Sequence, residues 1–328
     1  MRVKVSKIIE HCPTIKTFCL EPMDTYKKYF AGQYLTIHTG ADGDVLRPYS
    51  LSSSPTNPGS YEISVKLIEG GLGSTWMHSE VKIGDELTCE EPEGKFTLQQ
   101  AALTSVFVAG GIGVTPVLSM VKYALAIKDT RKLFFFYASR YLKDLVFHQE
   151  LLDLASENPN LIYVPIISGD QDPEWTGKRG RVNQELLEEA GVIFKRAEFY
   201  TCGPDAMMSD LQELALSQKV SKSNFHKELF QVAAPVNSGF SGTLNVNYKG
   251  VDYEYSKEQS LLDFLHSKKV RVRHSCKSGI CGSCEVQLKE GEVRHVNEEF
   301  FSDEELAEGR RLACCSFPVT DVVVDKHN

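Results

Sequence analysis

Four continuous apolar runs constrain the fold most: "SVFVAGG" (105–111), "KLFFFYAS" (132–139), "LIYVPIIS" (161–168) and "EFYTCGP" (198–204). Each is followed by a segment of helical pattern, at Val117 to Ile127, Leu145 to Ala155, Gln184 to Glu189 and Ala206 to Gln218. A strand that is apolar on both faces must be covered on both faces. Strands of that kind alternating with helices predict a parallel sheet between two helical layers, here over residues 101–230.

The preceding residues, 1–100, have a different rhythm. Short alternating runs ("RVKVSKII", "YLTIHT", "YEISVKLI", "ELTCEEP") are broken by "SSSPTNPGS", "GGLG" and "IGDE". Alternation with period two and frequent turns predicts a small antiparallel β-barrel. After the parallel-sheet region, "QVAAPVNSGFSG" lacks charge and is rich in small and turn residues, so 231–241 reads as a linker. Residues 242–328 then begin with a predicted hairpin turning at Lys249 and Gly250, continue with a helix from Ser260 to about Lys268, and reach a cysteine-rich loop. The expectation is a multidomain chain, since 328 residues exceed the usual size of one domain.

A net charge of −8 argues against a nucleic-acid footprint or an anionic membrane surface as partner. "MRVKVSKIIEHCP" lacks the apolar core of a signal peptide, and no apolar run approaches a membrane span. A cytoplasmic protein is expected, in which nine cysteines argue against a disulfide framework and those that cluster suit metal. Cys12, Cys19 and Cys89 stand singly in strand-like segments and read as small buried hydrophobes.

Five cysteines fall after residue 275, and "CKSGICGSC" sets Cys276, Cys281 and Cys284 at C-x4-C-x2-C spacing. A fourth ligand is available downstream in "RRLACCSFP", from Cys314 or Cys315. One compact loop plus a distant cysteine is the plant-type [2Fe-2S] spacing. Small residues Ser278, Gly279, Gly282 and Ser283 let backbone N–H groups approach the sulfur atoms. A structural zinc module is the alternative, although zinc sites usually pair two knuckles.

Two further motifs carry chemistry. In "RPYSLSSSP", Arg47 has the charge to pair with a phosphate, Tyr49 the ring to lie against an isoalloxazine, and Ser50 the hydroxyl to hydrogen-bond near flavin N5. In "GGLGST", Gly71, Gly73 and Ser74 precede a helix-like "TWMHSEV", whose opening amides suit a pyrophosphate.

Residues 242–328 resemble a plant-type ferredoxin domain, which implies a β-grasp fold. The family places its last ligand after a short Leu-containing pair and four residues before a Pro; Leu312-Ala313 and Pro318 register Cys314 in that role and leave Cys315 as a neighbour without one. The first 230 residues resemble the ferredoxin-NADP reductase superfamily. Its R-x-Y-S signature matches Arg47 to Ser50, and its G-x-x-S-x-x-L matches Gly71 to Met77 with Met in the last place. Its G-G-x-G-x-T-P matches Gly110, Gly111, Gly113 and Thr115, implied to admit the dinucleotide. Its C-G-P-x-x-M matches Cys202, Gly203, Pro204 and Met207, with Cys202 implied to face nicotinamide and flavin. "FHKELF" lies where the family returns a Glu and an aromatic toward the flavin, here Glu228 and Phe230. Ser50, Cys202 and Glu228 are thereby implied at the reacting end.

The order flavin, nicotinamide, ferredoxin is similar to hybrid-cluster protein reductases, phthalate dioxygenase reductases and phenylacetyl-CoA epoxidase reductase components. The resemblance implies electron transfer from NAD(P)H through a flavin and a [2Fe-2S] cluster to a partner protein. FAD is expected, with FMN the alternative. NADH is expected over NADPH, because Asp170 in "ISGDQD" stands where NADP-specific relatives bind a 2′-phosphate, while Ser139-Arg140, Lys178 and Arg179 offer cations nearby. The acceptor is a hybrid-cluster protein or an oxygenase, hydroxylase or desaturase component. Rival readings are a redox-sensing flavo-iron-sulfur binding protein and a flavoenzyme ending in a zinc module.

Overall fold

The computed structural model describes the chain except residues 41–42, 44, 100–103, 170–172, 174, 231–241, 257–258, 275–278, 280–281, 297–299 and 327–328. The chain forms two compact units, Met1–Glu228 and Leu229–Asn328. The expected linker, and the Cys276 and Cys281 positions, lie outside the described residues.

The first unit begins with β1 (Arg2–Cys12), β2 (Ile15–Pro22), β3 (Tyr34–Thr39), β4 (Val45–Ser50), β5 (Tyr61–Lys66), α1 (Leu72–Ser79) and β6 (Glu86–Thr88). β5, β2, β1 and β6 form one antiparallel sheet, and β3 pairs with β4 in a second. Bridges Ile37↔Cys89 and Leu51↔Ile63, just past β6 and β4, join the two sheets at both edges. The six strands therefore close into an antiparallel barrel. Val3, Val5, Phe18, Leu20, Ile37 and Ile63 fill it, and Lys4 between the two valines faces water as the alternation requires. Of the three lone cysteines, Cys89 is buried, but Cys12 and Cys19 are only half-buried. The strand pattern therefore overstated their burial.

The same unit continues with β7 (Thr104–Gly110), α2 (Val114–Ala126), β8 (Leu133–Ser139), α3 (His148–Glu157), β9 (Leu161–Ile167), β10 (Lys178–Arg179), α4 (Gln184–Glu189), β11 (Ala197–Cys202), α5 (Asp205–Ser217) and β12 (Phe225–Glu228). All six strands are parallel, in the order β10-β9-β8-β7-β11-β12. Every residue of β11 is buried, as a strand covered on both faces demands. The order reverses between β7 and β11, so a crevice opens beyond their carboxyl ends, where ligands of open α/β sheets bind. Ser119 of α2 donates to the Ser53 carbonyl at 2.6 Å, and the Gln99 N–H donates to the Tyr200 hydroxyl at 3.0 Å. These bonds fasten barrel and parallel sheet together.

The second unit contains β13 (Leu244–Tyr248), β14 (Val251–Tyr255), α6 (Leu261–Ser267), β15 (Glu285–Glu290), β16 (Val293–His295), α7 (Asp303–Ala307), β17 (Arg310–Leu312), β18 (Ser316–Pro318) and β19 (Val322–Lys326). Its main sheet runs β14-β13-β19-β15-β17, with β13 and β19 parallel and the other pairs antiparallel. Leu261, Leu262, Phe264 and Leu265 bury the inner face of α6, giving a β-grasp arrangement. Lys249 and Gly250 have φ of 52° and 81°, the left-handed pair that a two-residue hairpin turn needs. The Ser260 hydroxyl accepts from the Asp263 N–H at 3.1 Å and caps α6.

Candidate active site

The flavin-type motifs meet on one side of the barrel. Arg47, Tyr49 and Ser50 lie on β4, and α1 packs against it. A Cβ at Gly73 would fall 2.5 Å from Arg47 Cγ and 3.3 Å from the Tyr49 hydroxyl. Only glycine lets the helix start approach these side chains so closely. α1 opens at Leu72, earlier than the expected "TWMHSEV", so Gly73 and Ser74 sit in its first turn instead of before it. Ser74 Oγ accepts from the Ile68 N–H at 3.1 Å and donates to the Gly71 carbonyl at 3.2 Å. It thus folds the loop that presents the helix amides. Tyr49 is half-buried, and that burial raises its phenol above the ordinary value.

The nicotinamide-type motifs meet at the reversal point. Gly110 ends β7, Gly111 has φ of 54°, and α2 starts after a 3-10 turn over Gly111–Gly113. A Cβ on Gly113 would lie 2.3 Å from the Cys202 carbonyl oxygen, and one on Gly110 2.5 Å from Pro204 Cδ. The two glycines thus hold the β7 and β11 turns together across the crevice. Beside Gly111 nothing lies within 4 Å of such a Cβ, so that surface is open to a dinucleotide. Thr115 is buried and donates to the Ile112 carbonyl at 3.1 Å, bracing the turn.

Both halves converge on three residues. Cys202 and Glu228 are Cα partners across β11 and β12, and Ser50 Oγ donates to Glu228 Oε2 at 3.1 Å. All three are buried. Burial pushes the Glu228 carboxyl up to about 8, against the opposing effect of the Ser50 hydrogen bond. Burial, and then the Glu228 charge, raise the Cys202 thiol. At neutral pH the site therefore holds a protonated carboxyl, a neutral thiol and a hydroxyl. Phe230 lies two residues past β12 and belongs to the second unit.

In the second unit, Cys284 and Cys314 share one core with Cys315. The Cys314 N–H donates to Cys284 Sγ at 3.5 Å, the kind of contact that suits a metal-bound sulfur. Gly279 and Gly282 have φ of 76° and 74°, turning the cysteine loop as only glycine does easily. Cys315 Sγ stands 3.6 Å from Cys314 Sγ. Two described cysteines thus fit a cluster, and the glycines fit its loop.

Some contributors carried no sequence signal. In sequence, Ser119 is one serine in a helical segment and His295 stands at no ligand spacing. The buried His295 ring accepts the Leu312 N–H on Nε2 at 3.1 Å, two residues before Cys314. Burial and nearby Arg311 hold it down to about 4, so it is neutral. Only its pairing between β16 and β18, unreadable from spacing, reveals this.

Three family profiles match in succession: an oxidoreductase FAD-binding domain over 1–98, an oxidoreductase NAD-binding domain over 107–213, and a 2Fe-2S iron-sulfur cluster binding domain over 244–319. The glycine betaine monooxygenase reductase subunit of Pseudomonas aeruginosa is 30% identical, over 98% of this chain and 94% of its own. The carnitine monooxygenase reductase subunit of Escherichia coli is 30% identical over 96% and 94%. The solved phthalate dioxygenase reductase superposes with a TM-score of 0.70, at 26% identity, over 99% of this chain and 97% of that one. Fold and matches define a class, the NAD(P)H-dependent oxidoreductases with FAD-, NAD- and [2Fe-2S]-binding domains in one chain. Within it, this chain belongs to the family of reductase components built as a ferredoxin-NADP reductase module fused to a plant-type ferredoxin. The 2Fe-2S match sets aside the zinc module. Among the described residues no helix is long and apolar enough to cross a membrane.

Proposed function

We propose that this protein is the reductase component of an oxygenase system, drawing electron pairs from NADH and delivering them singly to an oxygenase partner. The Ser50, Cys202 and Glu228 constellation carries the proposal, because it joins the flavin motif on the barrel to the nicotinamide motif on the parallel sheet. When bound, the flavin supplies the conversion of an electron pair into single electrons and the cluster carries them one at a time.

Arg47 with the α1 amides would hold the flavin pyrophosphate, Tyr49 would cover the ring, and Ser50 would address its N5 edge. Gly71, Gly73 and Ser74 keep that approach open. Gly110, Gly111 and Gly113 would admit the dinucleotide, with Thr115, Gly203 and Pro204 shaping its reactive end. Glu228 would hold a proton at its carboxyl and pass hydrogen-bonding order to Ser50. Cys202 would exclude water beside the nicotinamide. Cys276, Cys281, Cys284 and Cys314 are the proposed cluster ligands.

NADH is proposed over NADPH. Asp170 lies outside the described residues, but Lys178 is engaged with Glu189 at 2.5 Å, and Arg140 packs its stem on Gly169. Neither is a preformed phosphate clamp. The cytoplasm, which supplies NADH and keeps thiols reduced, is the proposed compartment. An oxygenase acceptor is proposed over a hybrid-cluster protein, because the monooxygenase reductase subunits matched along the whole chain are 30% identical, against 28% for the NADH oxidoreductase HCR of Escherichia coli, which is matched over 98% of the chain. Co-purification from the native cell, followed by NADH-driven reduction of the captured protein, tests this. An oxygenase component reduced in that assay supports it, and capture and reduction of a hybrid-cluster protein instead rejects it.

A further inference from the structure

Between Asp263 and Glu285 the sequence holds five cations and no acid, in a chain of net charge −8. Four of them, Lys268, Lys269, Arg271 and Arg273, lie in six residues that follow α6, and all four are exposed. Among the described residues none of the four has an ion-pair partner, in contrast to Arg310, which is paired with both Glu285 and Glu305.

The local fold fixes how this segment faces. Val272 is 6% exposed and packs into the core that contains Cys284 and Cys314. Its carbonyl accepts from ring nitrogens of His266 and His274 at 3.3 Å each, and the two rings lie 4.5 Å apart. The segment is thereby held against the end of α6, with Val272 inward and its neighbours Arg271 and Arg273 outward. Arg273 precedes Cys276 by three residues, so the cations begin within ~10 Å of chain from the cysteine loop.

We infer that this basic segment is the docking surface for the electron acceptor, and that the acceptor presents an acidic face there. The inference rests on the reductase reading above and adds the chemistry of the partner's surface. Unneutralised charge at the electron outlet steers encounter and fixes orientation, where a cation already paired at the surface does little. A nucleic acid fits the segment poorly, because the rest of the chain is acidic and no aromatic alternates with these cations for base stacking. A lipid surface fits poorly too, since the interleaved Val272 is buried and Val270 is half-buried.

The test uses the holoprotein and two one-electron haem probes of opposite surface charge, the acidic soluble domain of cytochrome b5 and basic cytochrome c. One electron leaves the reduced cluster and one ferric haem becomes ferrous. With both proteins oxidised, titration calorimetry should show binding to the acidic probe that weakens as salt rises from about 20 mM to about 500 mM. After reduction by NADH, the rate to the acidic probe should fall over the same range by about tenfold or more. The Arg271→Glu/Arg273→Glu variant should lose that salt dependence and favour the basic probe. Salt-independent binding and transfer to the acidic probe in the wild type would overturn the inference, as would preference for the basic probe or tighter binding of duplex DNA than of either protein. The wild-type salt series needs no variant to fold. If NADH fails to reduce the cluster at all, the reductase reading fails instead.

Discussion

Ser50 and Glu228, 178 residues apart, are joined by a buried hydrogen bond of 3.1 Å. Ser50 closes the fourth barrel strand, and Glu228 closes the last strand of the parallel sheet. The bond therefore ties the barrel strand that carries the flavin-type motif to the strand beside the nicotinamide-type motif. Ser50→Ala should slow NADH-driven flavin reduction by about two- to tenfold, the effect of losing one hydrogen bond between neutral groups. Stopped-flow reduction with saturating NADH reads it.

Glu228 also predicts a pH dependence. Its carboxyl is raised from 4.5 to about 8 by burial. A raised acid contributes stability that is present in full below its unfolded value and is lost as pH rises through the folded one. The melting temperature of the first unit should therefore decline as pH rises from 4.5 toward and past 8, and Glu228→Gln should flatten that decline. Calorimetric scans across this range check both statements.

Gly73→Ala should release flavin. The new methyl would stand 2.5 Å from the stem of Arg47, so either the arginine leaves the site or α1 withdraws. Flavin content after gel filtration should drop well below that of wild type, while the [2Fe-2S] spectrum persists. At Gly113 the obstacle is the Cys202 backbone at 2.3 Å, which cannot swing aside. Gly113→Ala should accordingly cost more in stability than Gly73→Ala.

His295→Phe should destabilise the second unit by about 1–3 kcal/mol, because the buried Leu312 N–H loses its acceptor. The wild-type histidine is held down to about 4. Its contribution is present above 6.5 and is lost as pH falls through about 4. Bleaching of the cluster on acidification should follow that window in wild type and occur at higher pH in the variant.

The apolar runs made the parallel sheet legible, since strands buried on both faces leave an unmistakable composition, and all four predicted helices occur within a few residues. The turn at Lys249 and Gly250 was legible for a local reason, its need for left-handed backbone. The barrel's closure was not, because it depends on single bridges such as Ile37↔Cys89 between segments about fifty residues apart. The same holds at the site. Glycines and the R-x-Y-S run announce themselves, whereas the meeting of Ser50 with Glu228, and of Ser119 with Ser53, is created by strand order and has no spacing to read. Helix α1 begins at Leu72, straight after the extended Gly71, because the Thr75 N–H already donates to the Gly71 carbonyl at 2.9 Å.

Comparing kcat/KM for NADH and NADPH tests the nucleotide proposal. A preference for NADH of at least about tenfold is expected, corresponding to about 1.4 kcal/mol, and a preference for NADPH would show that Arg140 or Arg179 serves a 2′-phosphate after all.

The most direct test of the whole account separates its two halves with Cys281→Ser. This variant should still carry flavin that NADH reduces at close to the wild-type rate, and should pass no electrons to a protein acceptor. Equal loss of flavin reduction and acceptor reduction would contradict a chain in which the flavin module takes the hydride and the cysteine loop is the outlet.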